Sequence, residues 1–131
     1  MRLPVLTMLL LAAFPAFAQE EPIQQTINSQ LEALQADDFA TAFSFASPTI
    51  QGLFGTAENF GAMVRNAYPM VYRPADIQML ELREIAGNLY QRVLVTDANG
   101  RGFMLDYQMI ETTEGWRIDG VDLLPQPEVG V

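Results

Sequence analysis

Apolar positions keep a helical rhythm from residue 23 to about residue 67 and an alternating one from residue 76 onward. Ile23, Ile27, Leu31 and Leu34 form one helical stripe. Pro22 is expected at the start of that helix, where its missing N–H costs nothing. Asp37-Asp38 should end it and cap a second helix, Phe39 to Ala46, whose Phe39, Ala42, Phe43 and Ala46 share a face. Ser47-Pro48 reads as the stop of this second helix. A third helix follows Thr56 as N-cap, with Glu58 well placed in the first turn. Phe60, Met63, Val64 and Ala67 make its stripe, and Pro69 is expected to stop it.

The alternating half divides into four strands: Asp76–Ile85, Leu89–Asp97, Gly102–Glu111 and Trp116–Leu124. The breaks are Ala86-Gly87-Asn88, Asn99-Gly100 and Glu114-Gly115. The predicted fold class is α+β, with three N-terminal helices packed on one face of a curved four-stranded antiparallel sheet. A two-residue loop at Asn99-Gly100 would set Arg92 opposite Tyr107, Leu94 opposite Leu105, Tyr90 opposite Met109 and Thr96 opposite Phe103. This aromatic face is expected under the helices. The other face, with Val93/Asp106, Val95/Met104 and Leu89/Ile110, is apolar enough to want a cover, either the C-terminal tail or a second subunit. In the last strand, Trp116 and Ile118 fall out of phase with Val121 and Leu123. A bulge at Gly120 restores all four to one face and turns Asp122 outward; without it Asp122 lies beside Tyr107.

The N-terminus departs from both rhythms. Met1-Arg2, the apolar run Leu3 to Phe14, and Ala16-Phe17-Ala18 followed by Gln19-Glu20-Glu21 have the layout of a secretory signal peptide. The run is too short, and too interrupted by prolines, for a membrane span. The expected organisation is a leader over 1–18 cleaved after Ala18, one α+β domain over 19–124, and a Pro-rich tail over 125–131. The mature protein would be periplasmic or secreted, with no membrane span.

Composition narrows the chemistry. The chain of 131 residues carries seven Arg, sixteen acids and a formal charge of −9, with no Lys, His or Cys. Losing the leader removes one Arg and no acid, so the side-chain charge becomes −10. Ser-His-Asp and Cys-His nucleophile systems, His- or Cys-based zinc sites, disulfides and lysine Schiff bases are excluded by residue type. The acidic balance argues against nucleic acid as a partner. No cofactor and no metal site are expected. Asp97-Ala98-Asn99-Gly100 begins like a calcium loop, but the later ligands and closing Glu are missing, and a hairpin turn accounts for it. Met63, Met70, Met79, Met104 and Met109 read as core filler.

Carboxylates, tyrosines and arginines are what remain. Tyr90, Arg92, Tyr107 and, if it faces inward, Asp122 form one candidate cluster, able to bind a small anion or polarise a carbonyl. The structural alternative is a cross-strand Arg–Tyr pair with its charged head in water. Tyr68, Tyr72 and Arg73 form the second candidate, at a cavity mouth; the alternative is a stiff connector between Pro69 and Pro74.

Several stretches together are similar to a known family. They are Ala46-Ser47-Pro48-Thr49-Ile50-Gln51, Phe54-Gly55-Thr56-Ala57-Glu58-Asn59-Phe60, Met63-Val64-Arg65, Tyr68-Pro69-Met70-Val71-Tyr72-Arg73-Pro74 and Gly115-Trp116-Arg117-Ile118-Asp119-Gly120. Over about Ile23 to Leu124 they resemble domain of unknown function 4864, a bacterial family of small exported proteins. More broadly the pattern is similar to the nuclear-transport-factor-2-like, cystatin-like cone fold. That resemblance implies a cone with a cavity, often dimeric through its sheet, and it carries no catalytic residues. The expected function is a non-enzymatic exported binding or assembly module using the cone cavity or the outer sheet face. This reading admits a homodimer through that face and a small-molecule ligand. The alternative is a lyase- or isomerase-type cone enzyme using Tyr/Asp chemistry, which would need a carboxyl of raised pKa in an apolar pocket.

Overall fold

A computed structural model describes residues 17–125. Its element order is five helices and then four strands: α1 (Phe17–Gln35), α2 (Phe39–Ser44), α3 (Pro48–Phe54), α4 (Ala57–Ala67), α5 (Pro69–Tyr72), β1 (Asp76–Ile85), β2 (Asn88–Thr96), β3 (Gly102–Thr112) and β4 (Gly115–Leu123). The strands form one antiparallel sheet in sequence order. The class is α+β, as the periodicity predicts, but five helices are described rather than three. Most of the expected leader, and nearly all of the C-terminal tail, lie outside the described residues.

The helix caps follow the sequence. The Asp38 carboxylate accepts from the Thr41 N–H, and the Thr56 hydroxyl accepts from the Asn59 N–H at 3.1 Å. Two proline readings are corrected. Pro22 lies inside α1, five residues after its first residue. Ser47-Pro48 starts a helix instead of only ending one: the Ser47 hydroxyl accepts from the Ile50 N–H at 3.2 Å, and Pro48 occupies the first helical position. Pro69 likewise opens the short α5. The same residue types mark stops and starts, because a proline that cannot continue one helix is well suited to begin the next.

Helix α4 packs closely on α2 at Gly61. A Cβ built there would lie 2.5 Å from the Phe39 ring. Gly61→Ala is therefore expected to cost about 2 kcal/mol through overpacking. Denaturant unfolding should show the loss, and the added substitution Phe39→Leu should recover much of it.

The sheet register differs from the expected one by a single residue, which moves one whole strand to the other face. Thr96 pairs with Gly102, Val93 with Leu105, Arg92 with Asp106 and Gln91 with Tyr107. The loop holds three residues, not two. The Asp97 carboxylate accepts from the N–H groups of Asn99 and Arg101, each at 2.9 Å, and Gly100 takes a φ of +81°. The two-residue turn with positive φ at both central positions occurs instead at Ala86-Gly87, with φ values of +52° and +82°. Consequently Val93 and Val95, expected outside, are fully buried, whereas Tyr90, Arg92, Leu94 and Thr96 take the outer face.

Two bulges complete the geometry. In β4 the pairing steps from Met109–Ile118 to Gln108–Gly120, leaving Asp119 as the extra residue. Ile118, Val121 and Leu123 thus face the same way, as the apolar phase predicts, although Leu123 is left exposed. The Ser47 hydroxyl donates to Asp119 at 2.7 Å, and Phe45 and Ser47 exchange backbone bonds with Ile118, so the free edge of β4 is partly covered. In β1 the register steps between Met79 and Leu82. The buried Gln91 amide donates to the Leu80 carbonyl in that bulge at 2.9 Å and to the Arg92 carbonyl at 3.0 Å.

The core lies between α1, α2, α4, α5 and the inner sheet face. It is built from Ile23, Ile27, Leu31 and Leu34 against Val93, Val95, Leu105, Tyr107, Met109 and Ile118. Thr26 donates to the Trp116 carbonyl at 3.3 Å, fastening α1 to β4.

Candidate functional site

Between the helices and the inner face of β3 and β4 is a cavity of about 270 Å³. Helix α1 contributes Gln30 and Leu34; α3 contributes Ile50, Leu53 and Phe54; α4 contributes Phe60, Met63 and Val64. Tyr68 and Val71 close one side, and Tyr107, Ile118 and Val121 form the sheet wall. The lining is mainly apolar. Leu53 stands 73% exposed beside the cavity, a position at which a leucine gains little from the fold itself. Asp122 borders the cavity and is the one acid in its lining, but it is exposed. It pairs across the sheet with Asp106 and not with Tyr107.

Two polar groups on the wall are positioned differently. Tyr68 donates its hydroxyl to the Val121 carbonyl at 3.1 Å. Tyr107 is completely buried, and its hydroxyl has no hydrogen-bond partner among the described residues. Burial, and secondarily the nearby Tyr68, push the Tyr107 phenol well above its ordinary value of 10.0. It therefore stays a neutral donor. A buried hydroxyl without a partner costs about 1 kcal/mol or more. Tyr107→Phe should accordingly be at least as stable as the native protein at neutral pH. With its folded-state pKa raised, Tyr107 makes no pH-dependent difference to stability below pH 10.0 and lowers stability progressively as pH rises beyond that value. The variant should lack that part of the alkaline loss, which thermal unfolding at pH 8 and pH 11 would reveal.

The remaining candidates lie elsewhere, so the expected inner cluster of Tyr90, Arg92, Tyr107 and Asp122 does not form. Arg92 is on the outer face, where its guanidinium meets Asp106 at 3.3 Å and Glu81 at 3.3 Å. Tyr90 is on the same face, paired with Gln108 in β3 and Arg83 in β1. Arg83 grips Asp106 with both terminal nitrogens at 2.9 Å. The Arg83 guanidinium, opposed in part by burial and aided by Arg92, holds the Asp106 carboxyl below the usual carboxylate range. Asp106 itself gave no sequence signal, because the expected register hid its arginine partners.

Tyr72 and Arg73 form a clasp and not a cavity mouth. Tyr72 donates its hydroxyl to Asp37 and stacks on Phe39. Arg73 lies 3.8 Å over the Tyr72 ring, pairs with Asp37 at 3.0 Å and donates to the Leu34 carbonyl at the end of α1. The bonds from Tyr72 and Arg73 hold the exposed Asp37 carboxyl below its usual value. The arrangement terminates α1 and ties it to α5. Among the described residues there is no group of three or more acidic, His or Cys side chains placed to hold a metal ion. No described helix is long and apolar enough to cross a membrane.

The fold and site define a small α+β domain with an apolar cavity beneath its helices. A family model described as domain of unknown function (DUF4864) matches residues 16–131, and the chain belongs to that family. No curated protein matches the chain, and no solved structure does.

Proposed function

We propose that this protein is an exported binding module that holds a small apolar molecule in the cavity between its helices and sheet, within a nuclear-transport-factor-2-like cone. The observation that carries the reading is the cavity itself. It opens to solvent beside Leu53 and Asp122 and is apolar within, the form in which small-molecule sites usually occur. A space of about 270 Å³ bounded by Phe60, Val64, Tyr107 and Ile118 is roughly twice the volume known to accept benzene in an apolar site.

Export is supported by the leader layout and by Pro22. Within the uncut chain Pro22 interrupts the interior of α1, where proline is unfavourable. Cleavage after Ala18 leaves it in the first helical turn, where the missing N–H costs nothing. An assembly role would use the outer sheet face, where Tyr90, Leu94, Met104 and Ile110 are half-buried. The Arg83–Asp106–Arg92–Glu81 network makes that face more polar than the sequence suggested. The cavity is therefore the better-supported site. A catalytic reading finds less support, since the acid in the lining, Asp122, is exposed to solvent.

Native mass spectrometry of the protein purified from its own host tests the proposal. The expected spectrum shows an N-terminus at Gln19 and a retained mass that denaturation releases. Val121→Phe should fill the cavity from the sheet side and lose that mass while remaining folded. An equal retained mass in the variant would place the ligand elsewhere.

A further inference from the structure

The Tyr107 hydroxyl is the one buried side-chain polar atom left without a partner among the described residues. Most buried polar groups are satisfied, and an exception calls for a reason. Here the exception belongs to a residue in the cavity wall. The donors nearby are engaged: Tyr68 donates to the Val121 carbonyl, and the Gln30 amide nitrogen donates to the Ala42 carbonyl at 3.1 Å. Among the described residues no cation lines the cavity, and Asp122 at its border adds negative charge. A buried anion there would be desolvated without compensation.

Resting on the cavity reading above, we propose that the ligand is an uncharged, largely apolar molecule with a hydrogen-bond acceptor such as a carbonyl oxygen, and that Tyr107 donates to that acceptor. Binding includes some repacking of the wall, because the hydroxyl is closed off from the surface of the pocket. Met63, an adaptable unbranched side chain in that wall, suits such an adjustment.

Three probes of equal heavy-atom count separate the alternatives: acetophenone, its hydrocarbon analogue cumene, and benzoate. Each is titrated into the full mature chain, native and Tyr107→Phe, while NMR follows the methyl groups of Val64 and Ile118. Acetophenone and cumene should shift those methyls, and benzoate should bind at least tenfold more weakly than acetophenone. Tyr107→Phe should weaken acetophenone about five- to tenfold, the worth of one net hydrogen bond, and leave cumene within about twofold. If none of the three binds, the cavity reading itself fails. If acetophenone and cumene bind but Tyr107→Phe weakens neither, or if benzoate matches acetophenone, the cavity stands and the proposed ligand class is overturned. The variant removes only an unpartnered oxygen, so its fold serves as its own control.

Discussion

Asp106→Asn is expected to cost the protein about 2 kcal/mol at neutral pH. Removing one member of a buried ion pair strands its partners; here Arg83 and Arg92 keep partial access to water, which places the loss below the full range for buried pairs. The pH dependence carries a definite sign. The folded-state pKa of Asp106 is depressed, mainly by Arg83. Its stabilisation is therefore complete above the ordinary value of 3.8 and drains away as pH falls below it. Native protein should lose stability as pH falls below 3.8, and Asp106→Asn less steeply. Urea unfolding at pH 7 and pH 3 measures both. A variant as stable as native protein at pH 7 would show that the outer-face network contributes nothing net.

Gln91→Glu should be worse at pH 7, by about 3 kcal/mol, although the side chain keeps its shape. Gln91 is fully buried, and its amide donates to the carbonyls of Leu80 and Arg92. A carboxylate would face those same oxygens with no hydrogen to offer. Here the sign reverses. Burial raises the pKa of the introduced acid, so the deficit shrinks as pH falls and the carboxyl regains a proton to donate. Between pH 7 and pH 4 the Gln91→Glu deficit should therefore shrink, whereas the Asp106→Asn deficit should hold steady and shrink only below the ordinary carboxylate value of 3.8. A Gln91→Glu deficit that is unchanged between pH 7 and pH 4, or an Asp106→Asn deficit that already shrinks in that window, would contradict the roles given to the buried amide and the outer ion network.

Both residues show where sequence reading stops. The helical stripe from Ile23 to Leu34 and the caps at Asp38 and Thr56 are local patterns, and they appear as expected. The β4 bulge was legible because four apolar residues and Gly120 could not otherwise agree on a face. The β2 face was not. Asn-Gly suggested a two-residue turn, but the Asp97 side chain organises a three-residue one, and a single residue of register exchanges every neighbour. Arg92 therefore meets Asp106 instead of Tyr107. The β1 bulge leaves no mark in the alternation of Leu80, Glu81 and Leu82, so the role of Gln91 was invisible. Tyr68 and Tyr107 were legible as cavity candidates, whereas α3, which supplies Ile50, Leu53 and Phe54, was hidden by reading Ser47-Pro48 as a stop.

The most direct test of the cavity account is a high-resolution crystal structure of the protein purified from its own host. The expected map shows an open space bounded by Phe60, Val64, Tyr107 and Ile118, holding continuous density that is not water. Collapse of that space, with Phe54 and Met63 turned in to fill it, would contradict the account.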